Sequence, residues 1–303
     1  MMIYSRNILS LIFLILISCT ATKMGKKEEV ISLEQSYMAN FKEEPLKDWE
    51  SGKMFICVTE ELPSLLEENL QNISNPENSG IKGEIFKYKG LKEEQTWSGV
   101  QTFLLYEYAN QEYKYKVSKP LSDILNSEFK PLLPELVSLD YIQKADSLLK
   151  GKELYIKTPN WYNKDGVETK GQKYVLITIV EVSAGNKIFP LSIKFKTIGG
   201  DEYSVYTTMY KPLTTSQYST FDKIFTFTNP KNKYPQIKDE IWQYITQSKV
   251  TLGMTKDECK ISIGLPNKVN QLPEYSGLRE RWYYNTGTYL EFKDGLLVNF
   301  RQM

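Results

Sequence analysis

The sequence predicts an α+β protein. Two small antiparallel β-domains, each a sandwich or an SH3-like barrel, are expected to precede a domain of two helices and a three-stranded sheet. The length of 303 residues exceeds one typical domain of about 100 to 200 residues. Short alternating runs of apolar and polar residues, interrupted by turn residues about every 8 to 12 positions, predict the β-domains. A capped helix pattern followed by three alternating runs predicts the last domain.

The first 18 residues have the layout of a secretory signal peptide. Arg6 is their one charged side chain, and residues 8–17 are almost wholly apolar. A helix needs about 20 apolar residues to span a bilayer, so this run is too short to be a permanent anchor.

The motif at 16–19, LISC, resembles the lipobox of bacterial lipoproteins. The resemblance implies that Cys19 becomes the first residue of the mature chain and carries acyl chains such as palmitate, which hold the protein on a membrane. Thr20 is unlike the Asp that retains some lipoproteins at the inner membrane, so the outer membrane, on its periplasmic side, is the expected location. The alternative is an ordinary signal peptide cut near a cysteine.

Four segments are predicted to follow the signal peptide before the C-terminal domain. Residues 19–51 are polar and lysine-rich and are expected to form a tether. A first β-domain is predicted over 52–138 and a second over 139–210. Residues 211–236 contain three prolines and no sustained period, which is typical of a linker.

The two β-domains open on similar phrases, GKMFICVTEEL at 52–62 and GKELYIKTPNW at 151–161. A duplication and a chance similarity both explain the match. The first copy is also expected to contain a helix that begins at Thr59 and places Leu66 and Leu70 on one face.

Composition excludes several classes of function. The chain contains no histidine, which rules out Ser-His-Asp and Cys-His nucleophile systems and His-ligated zinc. Without the signal peptide the chain has 37 basic and 37 acidic residues, and this neutrality argues against nucleic acid as a partner. No motif indicates a cofactor or a metal site. The sequence therefore predicts a protein that is not an enzyme.

Two cysteines remain beyond Cys19. Cys57 lies in a strand pattern and Cys259 on a helix pattern, where cysteine packs as a small apolar side chain. An oxidising envelope would also permit them to form a disulfide.

The C-terminal domain, predicted over 237–303, carries the clearest local signals. A first amphipathic helix is expected within 237–249. Thr255 can cap a second helix, and Glu258, three positions later, can complete a capping box. Met254 and Cys259 are placed for a hydrophobic staple.

Three alternating runs, LRERWYYN, TYLEFKDG and LLVNFRQ, predict the sheet of this domain. They place Trp282, Leu290 and Phe300 on one face, which the helices are expected to cover. Asp294 and Gly295 predict a tight hairpin turn between the last two strands.

These residues resemble the SmpA/OmlA family, the BamE-like small lipoproteins of the outer-membrane β-barrel assembly machinery. The resemblance lies in the motif V-x-x-G-M-T-x-x-E at 250–258, the G-x-P at 264–266, Trp282 with Tyr284, and the Asp294-Gly295 turn. It implies an α/β interaction module that binds protein or phospholipid at the envelope without catalysis.

All three arginines of the mature chain lie in its last 25 residues. Strand alternation places Arg279, Arg281 and Arg301 together on the sheet face opposite Trp282. Arginine offers paired donors to a carboxylate or a phosphate, so this face is a candidate binding site for a protein or an anionic lipid. The alternative is a solvated face on which Arg281 or Arg301 pairs with Glu291.

The sequence thus favours a non-enzymatic envelope lipoprotein that binds protein or phospholipid in outer-membrane assembly or maintenance. Two alternatives stay open. A cell-wall or glycan-binding lipoprotein would use the aromatic phrase around Trp161 and Tyr162. A glycosidase would need only two carboxylates.

Overall fold

The computed structural model describes residues 31–60, 66–67, 80–210, 220–274 and 277–303. The predicted signal peptide and Cys19 lie outside this part of the chain. The described part is α+β, as predicted, and its named strands form three antiparallel sheets of six, seven and four strands. No helix in the described ranges has the length and apolar character needed to cross a bilayer.

The first sheet has the strand order β2-β5-β4-β3-β1-β6. Its strands are β1 (Met54–Cys57), β2 (Leu66–Glu67), β3 (Ile85–Thr96), β4 (Gly99–Tyr108), β5 (Gln111–Val117) and β6 (Leu136–Ser138). The short helix α2 (Leu121–Leu125) lies between β5 and β6. The prediction of a helix from Thr59 is wrong at Leu66, because Leu66 lies in a strand and pairs with Tyr115. Backbone pairing with β5 has overridden the helical spacing of the leucines, and most of the remaining segment lies outside the described residues.

The second sheet has the order β13-β7-β10-β11-β12-β8-β9. The helix α3 (Leu139–Leu149) leads into it. Its strands are β7 (Glu153–Ile156), β8 (Asn160–Tyr162), β9 (Glu168–Lys170), β10 (Val175–Ala184), β11 (Leu191–Thr197), β12 (Glu202–Thr207) and β13 (Phe225–Thr226). The helix α4 (Phe221–Ile224) comes just before β13.

The two sheets have the same strand order. Strands β1, β3, β4, β5 and β6 of the first correspond to β7, β10, β11, β12 and β13 of the second. Gly52 and Gly151, at the start of the matched phrases, both have positive φ, at 101° and 77°. Each donates its backbone N–H across the sheet, to the carbonyl oxygens of Tyr88 and Ile179 respectively. A β-bulge follows directly after Tyr88 in β3 and after Ile179 in β10. Matching strand order, register and bulge position make the two sheets an internal structural repeat.

The repeat leads to a stability prediction at Tyr106. Tyr106 pairs with Tyr88 in the first sheet. The corresponding residue in the second sheet is Phe195, which pairs with Ile179. Both side chains are fully buried. The Tyr106 hydroxyl has no hydrogen-bond partner among the described residues. We expect Tyr106→Phe to raise the free energy of unfolding by about 1 kcal/mol, because a buried unpaired hydroxyl loses its hydration.

Denaturant unfolding tests this expectation, with Tyr141→Phe as the control. The Tyr141 hydroxyl accepts the backbone N–H of Met209 at 2.7 Å, so its removal should lower stability by about 1 kcal/mol. A Tyr106→Phe protein that is less stable than wild type would contradict the expectation.

Two predicted connecting segments belong in part to the folded core. Ser32 caps the helix α1 (Leu33–Ala39) through a capping box. Met38 and Phe41 then pack in the core of the second sheet, and Leu46 packs in that of the first. The predicted tether of 19–51 is therefore wrong over residues 32–49, because a few apolar side chains in polar surroundings suffice to fix this segment.

The predicted linker of 211–236 is also wrong from residue 220 onward. Phe221 and Phe225 are fully buried, and Phe225 pairs with Ile156 at the edge of the second sheet. Residues 211–219 lie outside the described part. Thr220 itself is buried and starts the ordered segment. Strands as short as β13 leave no alternating pattern in the sequence.

The C-terminal domain contains two helices and a sheet of four strands rather than three. Its elements are α6 (Asp239–Thr246), α7 (Lys256–Ile263), β14 (Lys268–Glu274), β15 (Gly277–Tyr283), β16 (Tyr289–Lys293) and β17 (Leu296–Arg301). A single helical turn, α5 (Pro230–Lys233), precedes the domain. The capping box of Thr255 and Glu258 is confirmed. Met254 and Cys259 are both fully buried, and Asp294 and Gly295 form the hairpin turn with positive φ.

Lys173 joins the second sheet to the C-terminal domain. Its backbone N–H donates to the Thr246 carbonyl at 2.9 Å. Its Nζ donates to the carbonyls of Ile261, at 2.6 Å, and Ser262, at the end of α7. Burial lowers the pKa of Lys173 to about 8 from its ordinary value of 10.5.

This pKa makes stability depend on pH in one window. Between pH 8 and 10.5 the unfolded chain keeps the Lys173 proton while the folded chain has released it. The free energy of unfolding therefore rises with pH. Lys173 contributes about 2 kcal/mol to this rise between pH 7 and pH 9.5. Lys173→Met should remove that rise, as measured by denaturant unfolding at the two pH values. An unchanged rise in the variant would contradict the prediction.

Candidate functional site

The sheet of the C-terminal domain has one covered face. Trp282, Leu290 and Phe292 are buried there with Trp242 of α6 and Cys259 of α7. The rings of Trp282 and Phe292 lie 4.5 Å apart. On the same side, the buried Glu280 carboxylate accepts hydrogen bonds from Lys256 at 2.5 Å and from the Trp282 indole at 3.2 Å. The apolar and polar side chains of this face therefore have their packing and hydrogen-bond partners within the domain.

The other face of the sheet carries the three predicted arginines. Residues directly opposite each other on antiparallel strands share a face. Arg281 lies opposite Glu291, Arg279 opposite Lys293, and Arg301 opposite Tyr289. Lys268 joins them through its pairing with Tyr283. We call this surface the basic face, and its basic residues are Lys268, Arg279, Arg281, Lys293 and Arg301.

Glu291 is the one acidic residue among the described side chains of the basic face. Its carboxylate contacts Arg279 at 3.1 Å and Arg281 at 2.7 Å. The Glu291 side chain is 8% exposed, whereas those of Arg279 and Arg281 are 37% and 42% exposed. One carboxylate thus orients two guanidinium groups but neutralises only one positive charge.

The remaining basic side chains point into solvent. Lys268, Lys293 and Arg301 are exposed and form no ion pair with the described residues. With one acid against five basic residues, the described side chains give the face a formal charge of +4. This concentration of positive charge contrasts with the chain without its signal peptide, which has no net charge. It attracts anions, most strongly at low ionic strength.

The sequence identified the three arginines but missed the two lysines. The expected pairing of Arg281 with Glu291 is present, Arg279 joins it, and Arg301 does not. Lys293 lies in a predicted strand, and its alternation with Phe292 already places it on this face. Lys268 lies in β14, the strand that the sequence did not predict.

The guanidinium group of Arg281 also lies over the ring of Tyr289, 5.9 Å from its centroid. Hydrogen bonding to Glu291 raises the pKa of Arg281, so its charge is permanent at physiological pH. Contact with both a carboxylate and a ring holds the planar group in place. A fixed guanidinium loses less conformational entropy when it binds a carboxylate or phosphate.

Three further candidates from the sequence, Cys57, Cys259 and Trp161, are buried, and Tyr162 is half-buried. Cys57 and Cys259 are free thiols in different clusters, so the structure contains no disulfide between them. Burial raises the pKa of Cys259 to about 12. Trp161 is 5% exposed and packs edge-on against Phe195. Its ring is therefore part of the core and is not available for stacking on a sugar.

Comparison with known proteins adds no assignment. The chain matches no protein-family model, no curated protein and no solved structure. Within the described ranges, no group of three or more His, Cys, Asp or Glu side chains is arranged to hold a metal ion.

Proposed function

We propose that this chain is a non-enzymatic, lipid-anchored protein of the bacterial outer membrane, on its periplasmic side. Its C-terminal domain would bind an envelope protein or an anionic phospholipid during assembly or maintenance of that membrane. The observation that carries the proposal is the basic face, whose described side chains comprise five basic residues and one acid, Glu291, which contacts Arg279 and Arg281.

Two features support a BamE-like interaction module. The capping box at Thr255, the Gly264 helix end and the hairpin at Asp294 follow the order that the resemblance rests on. Two helices cover one side of the sheet and leave the basic face free of other described elements. A rigid sheet with one uncovered charged face is suited to binding a partner, since its side chains are already oriented.

The chemistry of the face favours an anionic partner. The Arg281 guanidinium keeps N–H donors beyond the one that Glu291 accepts, and these can bind a carboxylate or a phosphate. Carboxylates of an acidic protein surface and phosphates of a lipid headgroup both fit this geometry. Membrane attachment through Cys19 would raise the local concentration of either partner, because both would lie at the same surface.

Vesicle co-sedimentation tests the proposal. The chain that starts at Thr20 lacks the lipid and should bind phosphatidylglycerol vesicles but not phosphatidylcholine vesicles, with affinity that falls as salt rises. If it binds neither, crosslinking followed by capture from solubilised membranes should recover an acidic envelope protein. Failure of both experiments would contradict the proposed function.

A further inference from the structure

A cleft of about 690 Å³ separates the two repeated sheets. Its lining comes from the segment after α1, from β6 with the loop before it, from the start of α3, and from the β10–β11 hairpin. Small-molecule sites in proteins have volumes of about 300 to 1,000 Å³. The cleft is therefore large enough for a ligand of one acyl chain.

The cleft is lined in large part by apolar side chains. Phe55 and Val137 line it from opposite faces of the first sheet, next to its edge strand β6. On the opposite side, the rings of Tyr141 and Tyr210 are stacked 4.5 Å apart. The Tyr141 hydroxyl accepts the Met209 backbone N–H and shares a hydrogen bond with the Thr208 hydroxyl, so it needs no partner from a ligand. Such walls favour an apolar chain over a polar ligand.

Two exposed aliphatic side chains flank the opening. Leu132, on the first-sheet side, is 83% exposed, and Ile188, on the second-sheet side, is 57% exposed. Covering a large exposed aliphatic side chain with an apolar ligand lowers the free energy of the complex, because apolar surface is removed from water. Both would contact an apolar body lying in the cleft.

The charged residues at the opening are mainly lysines. Five lysines line the cleft together with three acidic residues: Lys42, Lys53, Lys130, Lys144 and Lys187 with Glu43, Glu44 and Asp140. Lys53 is paired with Glu44 at 2.6 Å and with Asp140 at 3.6 Å, and Lys187 is paired with Glu135 at 4.0 Å. Lys42 and Lys130 are exposed and form no ion pair with the described residues. The opening therefore keeps an excess of positive charge for an anionic group.

We propose that the cleft binds a single-chain anionic amphiphile, a long-chain carboxylate, with its chain against Leu132, Ile188 and Tyr210 and its carboxylate near Lys42 and Lys130. Apolar walls with a cationic opening complement a ligand of this chemistry. The site is separate from the basic face and does not depend on the proposed function. A loss of one activity would leave the other intact.

Calorimetric titration with palmitate tests the proposal on the chain that starts at Thr20, which retains every described residue. We expect saturable binding of one palmitate per chain. Leu132→Asp with Ile188→Asp should weaken it by roughly a hundredfold. Lys42→Gln with Lys130→Gln should weaken it by about tenfold at low salt.

Matched controls use side chains of similar exposure outside the cleft. Val167→Asp, in the β8–β9 turn, and Lys196→Gln, on β11, should leave palmitate affinity unchanged. Absence of saturable binding, or binding that both cleft variants leave unchanged, would overturn the proposal. Equal affinity for hexadecanol, which has the same chain without the charge, would overturn the assignment of an anionic ligand.

Discussion

Cys19→Ser is expected to abolish the incorporation of labelled palmitate into the protein. Only a thiol can form the thioether that the lipobox resemblance implies, and serine at this position cannot replace it. Each buried methylene of an acyl chain contributes about 0.8 kcal/mol to membrane binding, so loss of the lipid removes the anchor. The chain from Thr20, secreted behind an ordinary signal peptide, should then appear in the soluble periplasmic fraction.

Cys57→Ser and Cys259→Ala are the controls for this experiment. Both thiols are buried, with exposed fractions of 1% and 0%, so neither is open to acylation in the folded chain. Both variants should keep the label. Label retained by Cys19→Ser would exclude lipidation at that residue and remove the basis for the anchor.

Neutralising the basic face is expected to weaken binding to phosphatidylglycerol vesicles by about thirtyfold. The variant carries Gln at Arg279, Arg281, Arg301 and Glu291, which lowers the formal charge of the described face from +4 to +2. Each basic residue near an anionic surface contributes roughly 1 kcal/mol, and about 1.4 kcal/mol is a factor of ten. Glu291→Gln is included so that the buried carboxylate is not left without both of its partners.

Two further variants separate charge from geometry. Glu291→Gln alone raises the charge of the face by one and should tighten vesicle binding by about fivefold. Replacement of all three arginines by lysine keeps the charge but removes the paired donors. Vesicle binding should survive this change if charge alone matters and fall if bidentate contacts are required. A face that is only solvated would give equal binding for every variant, which would contradict the prediction.

Local signals in the sequence predicted much of the C-terminal domain. A capping box fixes where α7 begins, since Thr255 and Glu258 satisfy backbone donors that nothing else in the helix can reach. Positive φ at Asp294 and Gly295 fixes the hairpin and with it the register of β16 and β17. That register places Arg301 opposite Tyr289. The matched phrases at Gly52 and Gly151 likewise pointed to the structural repeat.

Long-range pairing accounts for what the sequence could not predict. The edge strand β14 includes Pro273 and polar residues, so its alternation is weak, yet it pairs along its length with β15. β13 has two residues and forms only because Ile156 is available at the sheet edge. Phe41 is buried by side chains about a hundred residues away, among them Tyr141. The cleft is formed by segments equally distant in the chain, so no local pattern could indicate it.

Site-specific photocrosslinking in growing cells tests most directly whether the basic face binds an envelope partner. A photoreactive residue at Asn299 lies on the face, exposed and opposite Glu291, and one at Val167 serves as the control on the second sheet. We expect a discrete crosslink from Asn299 to a phospholipid or an envelope protein, none from Val167, and loss of the Asn299 crosslink when the face is neutralised. No crosslink from Asn299 above that from Val167 would contradict binding by the basic face.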